Sequence, residues 1–255
     1  MIIPNKIRQN FNKSAQQYDQ LTGLHRKIAD KIFQRVIKEN KPKALLDVGC
    51  GTGYLTGMLK KSFPQSQIIG LDFAQGMLEE ARLKHEGIEW VLADGHQLPF
   101  SDGRFDIIVS NLAYQWAGDL AQAFTEAKRV LVNDGILACT LFGYHTCQEL
   151  FQSLDEAKTK ALGFTRLPDE LKVQEALIIS GFTDPQVNTE KIRIEFKNMQ
   201  ELMTWLKSIG ANNLSREIYF GRETIARAAS IYRDKFSYLQ GVGATFEVIH
   251  VYAKK

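Results

Sequence analysis

The sequence has little of what marks a metalloprotein, a secreted protein or a membrane protein. It contains three cysteines and five scattered histidines, and their spacing resembles neither a metal site nor a disulfide framework. No apolar stretch approaches the length that spans a bilayer, and the N-terminus lacks the apolar core of a signal peptide. These absences predict a cytoplasmic protein with reduced thiols, no metal and no membrane association.

The charge balance excludes little and suggests no polyanionic partner. The formal net charge is +3 over 255 residues, which is too small to indicate nucleic-acid binding. Hydrophobic residues make up 44% of the chain and charged residues 24%, as in ordinary globular proteins. The length predicts one α/β domain with an appendage.

The most informative feature that is present is a glycine-rich turn. The apolar run at 45–48 leads into Gly49, Gly51 and Gly53, and Asp72 ends the next apolar run. This pattern is typical of the first βαβ unit of a nucleotide-binding sheet, with an acid placed to bind a ribose. A dinucleotide fingerprint would need its third glycine at position 54, and no Gly-Lys-Ser/Thr ending is present to form a P-loop.

Hydrophobic periodicity predicts alternating strands and helices. Two amphipathic helices are expected within residues 5–40, and further helices between the first three strands and at 119–132. Residues 133–135, Asn-Asp-Gly, are expected to form a turn before the fifth strand. Apolar runs predict strands at 44–48, 68–72, 88–92, 105–110 and 135–142.

Beyond residue 143 the regular alternation of strands and helices ends. Two further strands are expected at about 187–196 and 245–252. Helices are predicted at 145–161, 168–180, 198–208 and 222–238.

The glycine turn carries a resemblance to a known family. Residues 47–53, Asp-Val-Gly-Cys-Gly-Thr-Gly, resemble motif I of the class I S-adenosylmethionine-dependent methyltransferases. The resemblance implies that the glycine loop passes close to the methionine moiety and that Asp72 accepts hydrogen bonds from both ribose hydroxyls. It also implies a doubly wound, mostly parallel, seven-stranded Rossmann-like sheet, with the last strand inserted antiparallel.

The same resemblance implies a domain organisation. Residues 1–255 would form one methyltransferase domain, with N-terminal helices at 1–40 and a cofactor-binding half at 41–143. The substrate-side half would comprise 144–255, with a helical cap between the last two strands.

Other segments extend the match on the cofactor side. Phe73 and Met77 lie in a stretch that follows motif II in the family and would pack against adenine, although helix periodicity alone makes Met77 a core residue. Asp94 and Gly95 resemble the segment that contacts the adenine amino group, with a capped turn as the alternative. The implied cofactor-binding residues are Asp47, Gly49, Gly51, Gly53, Asp72, Phe73, Met77, Asp94, Gly95 and Asn111.

Four segments narrow the resemblance to the malonyl-[acyl-carrier protein] O-methyltransferases of biotin synthesis. They are IRQNF with a following Ala15 and Tyr18-Asp19, SNLAYQW at 110–116, LKSIGANN at 206–213 and ATFEVI at 244–249. This family would use S-adenosylmethionine, release S-adenosylhomocysteine and methylate the free carboxylate of a malonyl group. The malonyl group would be carried by acyl carrier protein, with malonyl-CoA as a possible substitute.

A carboxylate acceptor needs little chemical activation by the protein. It is already ionised at neutral pH, so alignment and exclusion of water matter more than a general base. Hydrogen-bond donors or a cation should hold it, although Tyr18 and Trp116 also fit a packing role. The candidate donors are Tyr18, Tyr114, Gln115, Trp116, Asn213 and Arg216, of which Tyr18, Gln115, Trp116 and Arg216 are the predicted catalytic residues.

A basic segment offers a docking surface for an acidic carrier protein. Residues 204–235 carry a net charge of +3, equal to that of the whole chain, and include Arg222 and Arg227. A solvated helix face would have the same composition.

Two other functions are compatible with parts of the sequence. A methyltransferase of this class could act on another small acid, a quinone or a sterol-like acceptor, but no base is evident for a carbon acceptor. A non-catalytic binding module would be expected to have lost the glycine loop or Asp72, and both are intact.

Overall fold

The computed structural model describes residues 5–39, 41–157, 167–210 and 221–255. Its centre is one sheet with the strand order β3-β2-β1-β4-β5-β8-β6, and β7 pairs with β8 at the side. The strands are β1 (Ala44–Val48), β2 (Gln67–Asp72), β3 (Glu89–Leu92), β4 (Phe105–Asn111), β5 (Leu131–Phe142), β6 (Thr183–Phe196), β7 (Ser237–Tyr238) and β8 (Gly241–Lys254).

The first five strands are parallel, and β8 lies antiparallel between β5 and β6. The doubly wound fold with an inserted antiparallel last strand is therefore confirmed. The helices are α1 (Asn5–Leu21), α2 (Gly23–Val36), α3 (Tyr54–Ser62), α4 (Gln75–Lys84), α5 (Leu120–Val130), α6 (Gln148–Ala157), α7 (Glu170–Ile179), α8 (Met199–Ser208) and α9 (Arg222–Lys235).

The central strands are apolar on both faces because helices cover both faces. Every residue of β1 is buried, and its side chains alternate between two core clusters. Leu45 packs with residues of α2 and α3, whereas Leu46 and Val48 pack with residues of α5 and α7. Burying both faces fixes the sheet and brings the carboxyl ends of β1, β2 and β4 together at one edge.

A third core cluster joins the cap, which comprises helices α6, α8 and α9, to the sheet. Helices α6, α8 and α9 pack on the first half of β8, with Phe246 and Tyr232 fully buried among them. The Tyr232 hydroxyl donates a 2.9 Å hydrogen bond to the carbonyl of Gly243. Leu24 of α2 belongs to the same cluster, so the cap is anchored to the N-terminal helices as well as to the sheet.

Apart from the starts of β6 and β8, which each lie four residues before the predicted position, three predicted boundaries were wrong. Residues 133–135 do not precede the fifth strand but lie inside β5, which begins at Leu131, opposite Phe105. The register then shifts, so that Ile136 lies opposite Ile107, and Asp134 adopts a φ of +60°. The predicted turn is therefore a bulge within the strand, because pairing with β4 resumes after it.

The other two errors concern helix ends. The helix predicted from 145 begins at Gln148, since Cys147 has a φ of +55° that a helix cannot include. The predicted residues 158–161 lie outside the described part of the chain. Helix α9 ends at Lys235 rather than at 238, because Ser237 and Tyr238 pair with β8 as β7.

In the part of the chain that is described, no helix is both long and apolar enough to cross a membrane.

Candidate active site

A cleft opens where β1, β2 and β4 end, as expected for a doubly wound sheet. It consists of two cavities that both include Gly49 in their lining. The sheet-end cavity has about 370 Å³ of empty space and is lined by Asp72, Phe73, Asp94, Gly95, His96 and Tyr114, among others. The helix-side cavity has about 460 Å³ and lies between the glycine loop and helices α1 and α2.

The three glycines of the loop have different roles. All have positive φ, of 73°, 55° and 84° for Gly49, Gly51 and Gly53. A Cβ on Gly49 would lie 2.2 Å from the Cβ of Ala113, and one on Gly53 would lie within 3 Å of the rings of His85, which follows α4, and of Trp90 in β3. A Cβ on Gly51 would meet nothing closer than the ring of Tyr18, at 4.0 Å. Only Gly51 keeps space open for a ligand, whereas the other two allow close packing.

Asp72 connects the glycine loop to the end of β2. Its Oδ2 accepts a 2.9 Å hydrogen bond from the backbone N–H of Gly51, and its Oδ1 accepts one of 2.8 Å from Ala74. The side chain is buried, and burial raises the pKa of Asp72 to about 6. The backbone of Phe73 also hydrogen-bonds this carboxylate, which retains acceptor capacity for a hydroxyl of a ligand in the sheet-end cavity.

Asp47 lines the helix-side cavity and has one buried carboxylate oxygen without a partner. Its Oδ2 accepts a 2.6 Å hydrogen bond from the Thr56 hydroxyl, but its Oδ1 is buried and has no partner. Burial raises the pKa of Asp47 to about 7, and the nearby charge of Asp72 raises it further. A buried carboxylate oxygen without a donor is unfavourable, so this position fits a cationic donor such as an ammonium group.

A polar stripe on α2 lines the helix-side cavity. Thr22, His25, Arg26 and Ala29 have the spacing of one helix face, and all four line this cavity. The amphipathic pattern predicted this helix but did not identify this face as part of the site. The spacing of Thr22, His25 and Arg26 was the signal that could have found it.

Arg26 connects α2 to the glycine loop through Asp19, but one of its hydrogen-bond donors has no partner. It lies 3.4 Å from Asp19, which also accepts a 2.5 Å hydrogen bond from the Thr52 hydroxyl of the glycine loop. Its guanidinium lies 5.0 Å from the centre of the Tyr54 ring, and its Nε is buried without a partner. A planar cation with an unused donor at a cavity wall fits a carboxylate ligand.

His25 and Tyr18 form the wall towards the cap. The His25 ring lies between Tyr18, Phe142 of β5 and Trp205 of α8, at 6.0, 5.7 and 6.2 Å between ring centres. Its Nδ1 is buried without a partner, and burial lowers the pKa of His25 to about 4. Burial, with Asp72 and Asp19 nearby, raises the pKa of Tyr18 well above its usual range. Both side chains are therefore neutral at neutral pH.

The loop after β3 forms a wall of the sheet-end cavity. Asp94 Oδ1 accepts a 2.9 Å hydrogen bond from the backbone N–H of His96 and lies 2.7 Å from its Nδ1. Phe73 lies at the mouth of this cavity, and its ring meets Phe11 of α1 edge-on at 5.7 Å.

Of the remaining predicted residues that the structure describes, Asn111 lines a cavity and Met77, Gln115 and Trp116 line neither. Met77 is buried with Ala15 between α1 and α4, as helix periodicity indicated. Gln115 donates a 2.6 Å hydrogen bond to the carbonyl of Leu112, and Trp116 meets Phe11 edge-on at 5.9 Å. Arg216 and Asn213 lie outside the described residues.

Asn111 lines the helix-side cavity with both ends of its amide engaged. Its Nδ2 donates to the carbonyl of His25 at 3.1 Å, and its Oδ1 accepts from the Thr140 hydroxyl at 3.0 Å. It therefore fixes the His25 backbone to the end of β4.

Comparisons with known proteins agree with this geometry. A family model described as a methyltransferase domain matches residues 46–139. The malonyl-[acyl-carrier protein] O-methyltransferase of Halorhodospira halophila is 32% identical over 97% of this chain and 86% of its own length. The protein of the same name from a Methylovorus species is 31% identical over 100% of this chain and 90% of its own length.

A solved structure shows the same fold. A Bacillus halodurans protein described as a methyltransferase superposes with a TM-score of 0.64 at 19% identity, covering 89% of this chain and 98% of its own. The sheet order, the glycine loop, Asp47 near the end of β1 and Asp72 at the end of β2 are those of a class I S-adenosylmethionine-dependent methyltransferase. Within that class, the chain belongs to the family of malonyl-[acyl-carrier protein] O-methyltransferases. The family resemblance found in the sequence is thus confirmed.

Proposed function

We propose that this chain transfers the methyl group of S-adenosylmethionine to the free carboxylate of a malonyl group carried by acyl carrier protein. The product would be the malonyl methyl ester that primes biotin synthesis. The names of the full-length relatives support this acceptor. Malonyl-CoA would be a smaller acceptor with the same reactive end.

The cleft fits the cofactor at both ends. S-adenosylmethionine supplies a methyl group activated by a positively charged sulfur. The sheet-end cavity would hold the adenosine, with Asp72 accepting hydrogen bonds from the ribose hydroxyls. In the helix-side cavity, the unpaired oxygen of Asp47 would bind the α-ammonium group and the unused donor of Arg26 the α-carboxylate. Gly51 would let the chain approach the cofactor between them.

The feature that supports a carboxylate acceptor is the weak basicity of His25 and Tyr18 in the wall of the helix-side cavity. His25 has a pKa of about 4, so it is a weak base, and Tyr18 keeps its proton because burial raises its pKa. With Asp47 engaged by the α-ammonium group of the cofactor, an amine, phenol or carbon acceptor would have to lose a proton to such groups. A carboxylate reaches the site already ionised, so the wall needs only to orient it.

Neutral donors suit that task. The hydroxyl of Tyr18 and the buried Nδ1 of His25 would hold one carboxylate oxygen and leave the other directed at the methyl group. Gln115, Trp116 and Arg216 stay predictions for the acceptor side, and Gln115 already uses one amide hydrogen on Leu112. We also propose that residues 41–143 bind the cofactor and that 144–255 supply the acceptor side.

Helix α9 is the proposed docking surface for the carrier protein. Arg222 and Arg227 are exposed, and neither forms an ion pair with any residue that the structure describes. An acidic partner would gain from both cations without first breaking an existing pair.

Methyl transfer from labelled S-adenosylmethionine would test the proposal. We expect alkali-labile label on malonyl-carrier protein and on malonyl-CoA, because a methyl ester releases methanol in base. Acetyl-carrier protein and the preformed malonyl methyl ester serve as matched controls and should remain unlabelled. Transfer to a phenol or amine at a comparable rate would overturn the carboxylate acceptor.

A further inference from the structure

Helix α1 buries little of its surface against the rest of the molecule. Only Ile7 and Ala15 of its 17 residues are buried, whereas five of the 14 residues of α2 are buried. Elements with little buried apolar surface open at a lower free energy than the core of a protein does. Helix α1 can therefore move away from the cleft with little loss of packing.

Helix α1 lies across the cleft. The ring of Phe11 meets Phe73, which follows β2, at 5.7 Å and Trp116, which follows β4, at 5.9 Å between ring centres. Since β1 lies between β2 and β4, these contacts bridge the cleft over the end of β1. Tyr18 lies over the glycine loop, because a Cβ on Gly51 would be 4.0 Å from its ring. A ligand bound in the cleft is therefore covered by α1.

The C-terminal end of α1 has the features of a hinge. Thr22 alone separates α1 from α2, and its φ of −103° and ψ of 33° lie outside the helical region. A Cβ on the following Gly23 would meet nothing within 4 Å, so the backbone has room to change direction here. The carbonyl of Leu21 accepts a 2.8 Å hydrogen bond from the indole N–H of Trp205 in α8, which fixes this end of the helix to the cap.

The middle of α1 is attached to α4. Oδ1 of Asn12 accepts a 2.8 Å hydrogen bond from the backbone N–H of Gly76, in the first turn of α4. A Cβ on Gly76 would lie 3.0 Å from the carbonyl oxygen of Asn12, so glycine lets the two helices approach closely. Asn12 lies ten residues from Thr22, or about 15 Å along the helix. Asp19 also contacts Lys84 of α4, at 3.1 Å, but it is only three residues from Thr22 and moves little when the hinge opens.

We infer that α1 is a lid that opens about Thr22 and Gly23 to admit and release the cofactor, and that Asn12 is its latch on α4. Closure brings Tyr18, the proposed donor to the acceptor carboxylate, over the glycine loop, so the lid also completes the acceptor side once the cofactor has entered. Asn12 is a positioning residue, because it lines neither cavity and acts through the helix that carries Tyr18. The lid rests on the proposed function in taking S-adenosylmethionine as the ligand of the cleft.

A latch controls the rates of binding rather than the affinity. The ligand enters and leaves only while the lid is open, so a weaker latch speeds association and dissociation by the same factor and leaves Kd unchanged. Loss of one hydrogen bond shifts such an equilibrium about 3- to 10-fold. Loss of a contact to the ligand would instead raise the dissociation rate and Kd together, with the association rate little changed.

Asn12→Ala should therefore speed both association and dissociation of S-adenosylhomocysteine about 3- to 10-fold and keep Kd within about twofold. Surface plasmon resonance on the immobilised protein measures the two rates, and calorimetric titration measures Kd. Asn12→Asp keeps an acceptor for the N–H of Gly76 and is the matched control, which should speed neither rate. Alanine is a better helix former than asparagine, so a weaker α1 would not explain faster exchange in Asn12→Ala.

A disulfide tests the movement of the lid itself. A Cβ on Gly76 would lie 3.3 Å from the Cα of Asn12, within the reach of a disulfide. In the double variant Asn12→Cys with Gly76→Cys, oxidation should slow association and dissociation about tenfold or more, and dithiothreitol should restore both rates. The three native cysteines are buried, so the oxidised and reduced forms of this one chain control for each other.

The outcomes distinguish the lid from the proposed function. An unmodified protein that binds no S-adenosylhomocysteine overturns both. Normal binding, with equal rates in the oxidised and reduced double variant, overturns the lid alone. If Asn12→Ala raises only the dissociation rate, with a proportional rise in Kd, Asn12 supports the bound ligand and is not a latch. Circular dichroism identifies any variant that fails to fold, and the comparison of the two redox forms does not depend on Asn12→Ala.

Discussion

At the scale of single residues, the cleft holds two carboxylates in conditions that oppose their charge. Asp47 lies one residue before the end of β1 and Asp72 ends β2, and burial raises the pKa of Asp47 to about 7 and that of Asp72 to about 6. A ligand that donates hydrogen bonds or positive charge to them offsets this cost. The two carboxylates that weaken the free protein are therefore the ones that we propose bind the cofactor.

Asp47→Asn should stabilise the free protein at alkaline pH. A carboxyl whose pKa rises from 3.8 to about 7 on folding binds more protons in the folded chain, so stability falls as pH rises between these values. The amide does not ionise and avoids this loss. The free energy of unfolding of the variant minus that of the unmodified protein should be about 1–4 kcal/mol larger at pH 8 than at pH 4. Urea unfolding at both pH values measures it.

The same substitution should weaken cofactor binding. The affinity of the unmodified protein for S-adenosylhomocysteine should rise roughly three- to fourfold from pH 6.5 to 8, as Asp47 ionises. The variant should bind more weakly and show a flatter profile. If the stability and affinity of the variant match those of the unmodified protein at every pH, Asp47 keeps one protonation state, ionised or neutral, across this pH range.

Asp72→Ala should weaken S-adenosylhomocysteine binding about ten- to a hundredfold, because charged hydrogen bonds to the ribose are lost. Calorimetric titration provides the affinity, and 2′-deoxyadenosylhomocysteine provides the control. The deoxy ligand should lose less affinity on the substitution, since it has one hydroxyl fewer to lose. An unchanged dissociation constant would place the ribose elsewhere.

At the scale of elements, different glycines of the loop between β1 and α3 have different roles. One allows close packing, and another leaves space for a ligand. Gly49→Ala places a methyl group 2.2 Å from the Cβ of Ala113 at a φ of +73°. Gly51→Ala has a similar backbone cost, at a φ of +55°, but meets only the edge of the Tyr18 ring at 4.0 Å. The pair therefore separates the two roles at matched backbone strain.

We expect Gly49→Ala to lower the free energy of unfolding by about 2–4 kcal/mol, from strain and overpacking together. Gly51→Ala should cost about 1–2 kcal/mol of stability but reduce S-adenosylhomocysteine affinity at least tenfold. Urea unfolding and calorimetric titration measure the two quantities. The idea fails if Gly51→Ala binds the ligand normally or is the less stable of the two.

At the scale of the whole molecule, the cap includes the basic helix α9, which we propose as the docking surface for the carrier protein. Reversing Arg222 and Arg227 to Glu should lower kcat/KM for malonyl-carrier protein and leave malonyl-CoA nearly unaffected. Electrostatic steering acts on association and is screened by salt, so the loss should shrink as the salt concentration rises. Steady-state kinetics on both acceptors at low and high salt would measure it.

A second double reversal controls for net charge. Lys38 and Lys41 are exposed and precede β1, at the edge of the sheet away from the cleft. Changing both to Glu alters the total charge equally and should leave both acceptors unaffected. Equal, salt-independent losses on both acceptors in the arginine variant would place docking elsewhere.

Local pattern was enough to predict most of the fold and part of the site. The strands of the doubly wound sheet are continuous apolar runs, since both faces are covered, and the glycine turn must follow β1 for steric reasons. Asp72 follows from the same pattern, because the carboxyl ends of parallel strands meet at one edge. The sequence by itself thus determined the class of protein, the sheet and the position of the cofactor cleft.

Tertiary structure decided what sequence spacing could not show. The bulge at Asp134 depends on pairing with β4, and the start of α6 depends on the backbone at Cys147. His25 joins the site because β5 and α8 surround its ring, and His96 because Asp94 holds one of its nitrogens. Burial, pKa and hydrogen-bond partners arise from residues far apart in the chain, so they became visible only when the chain was folded.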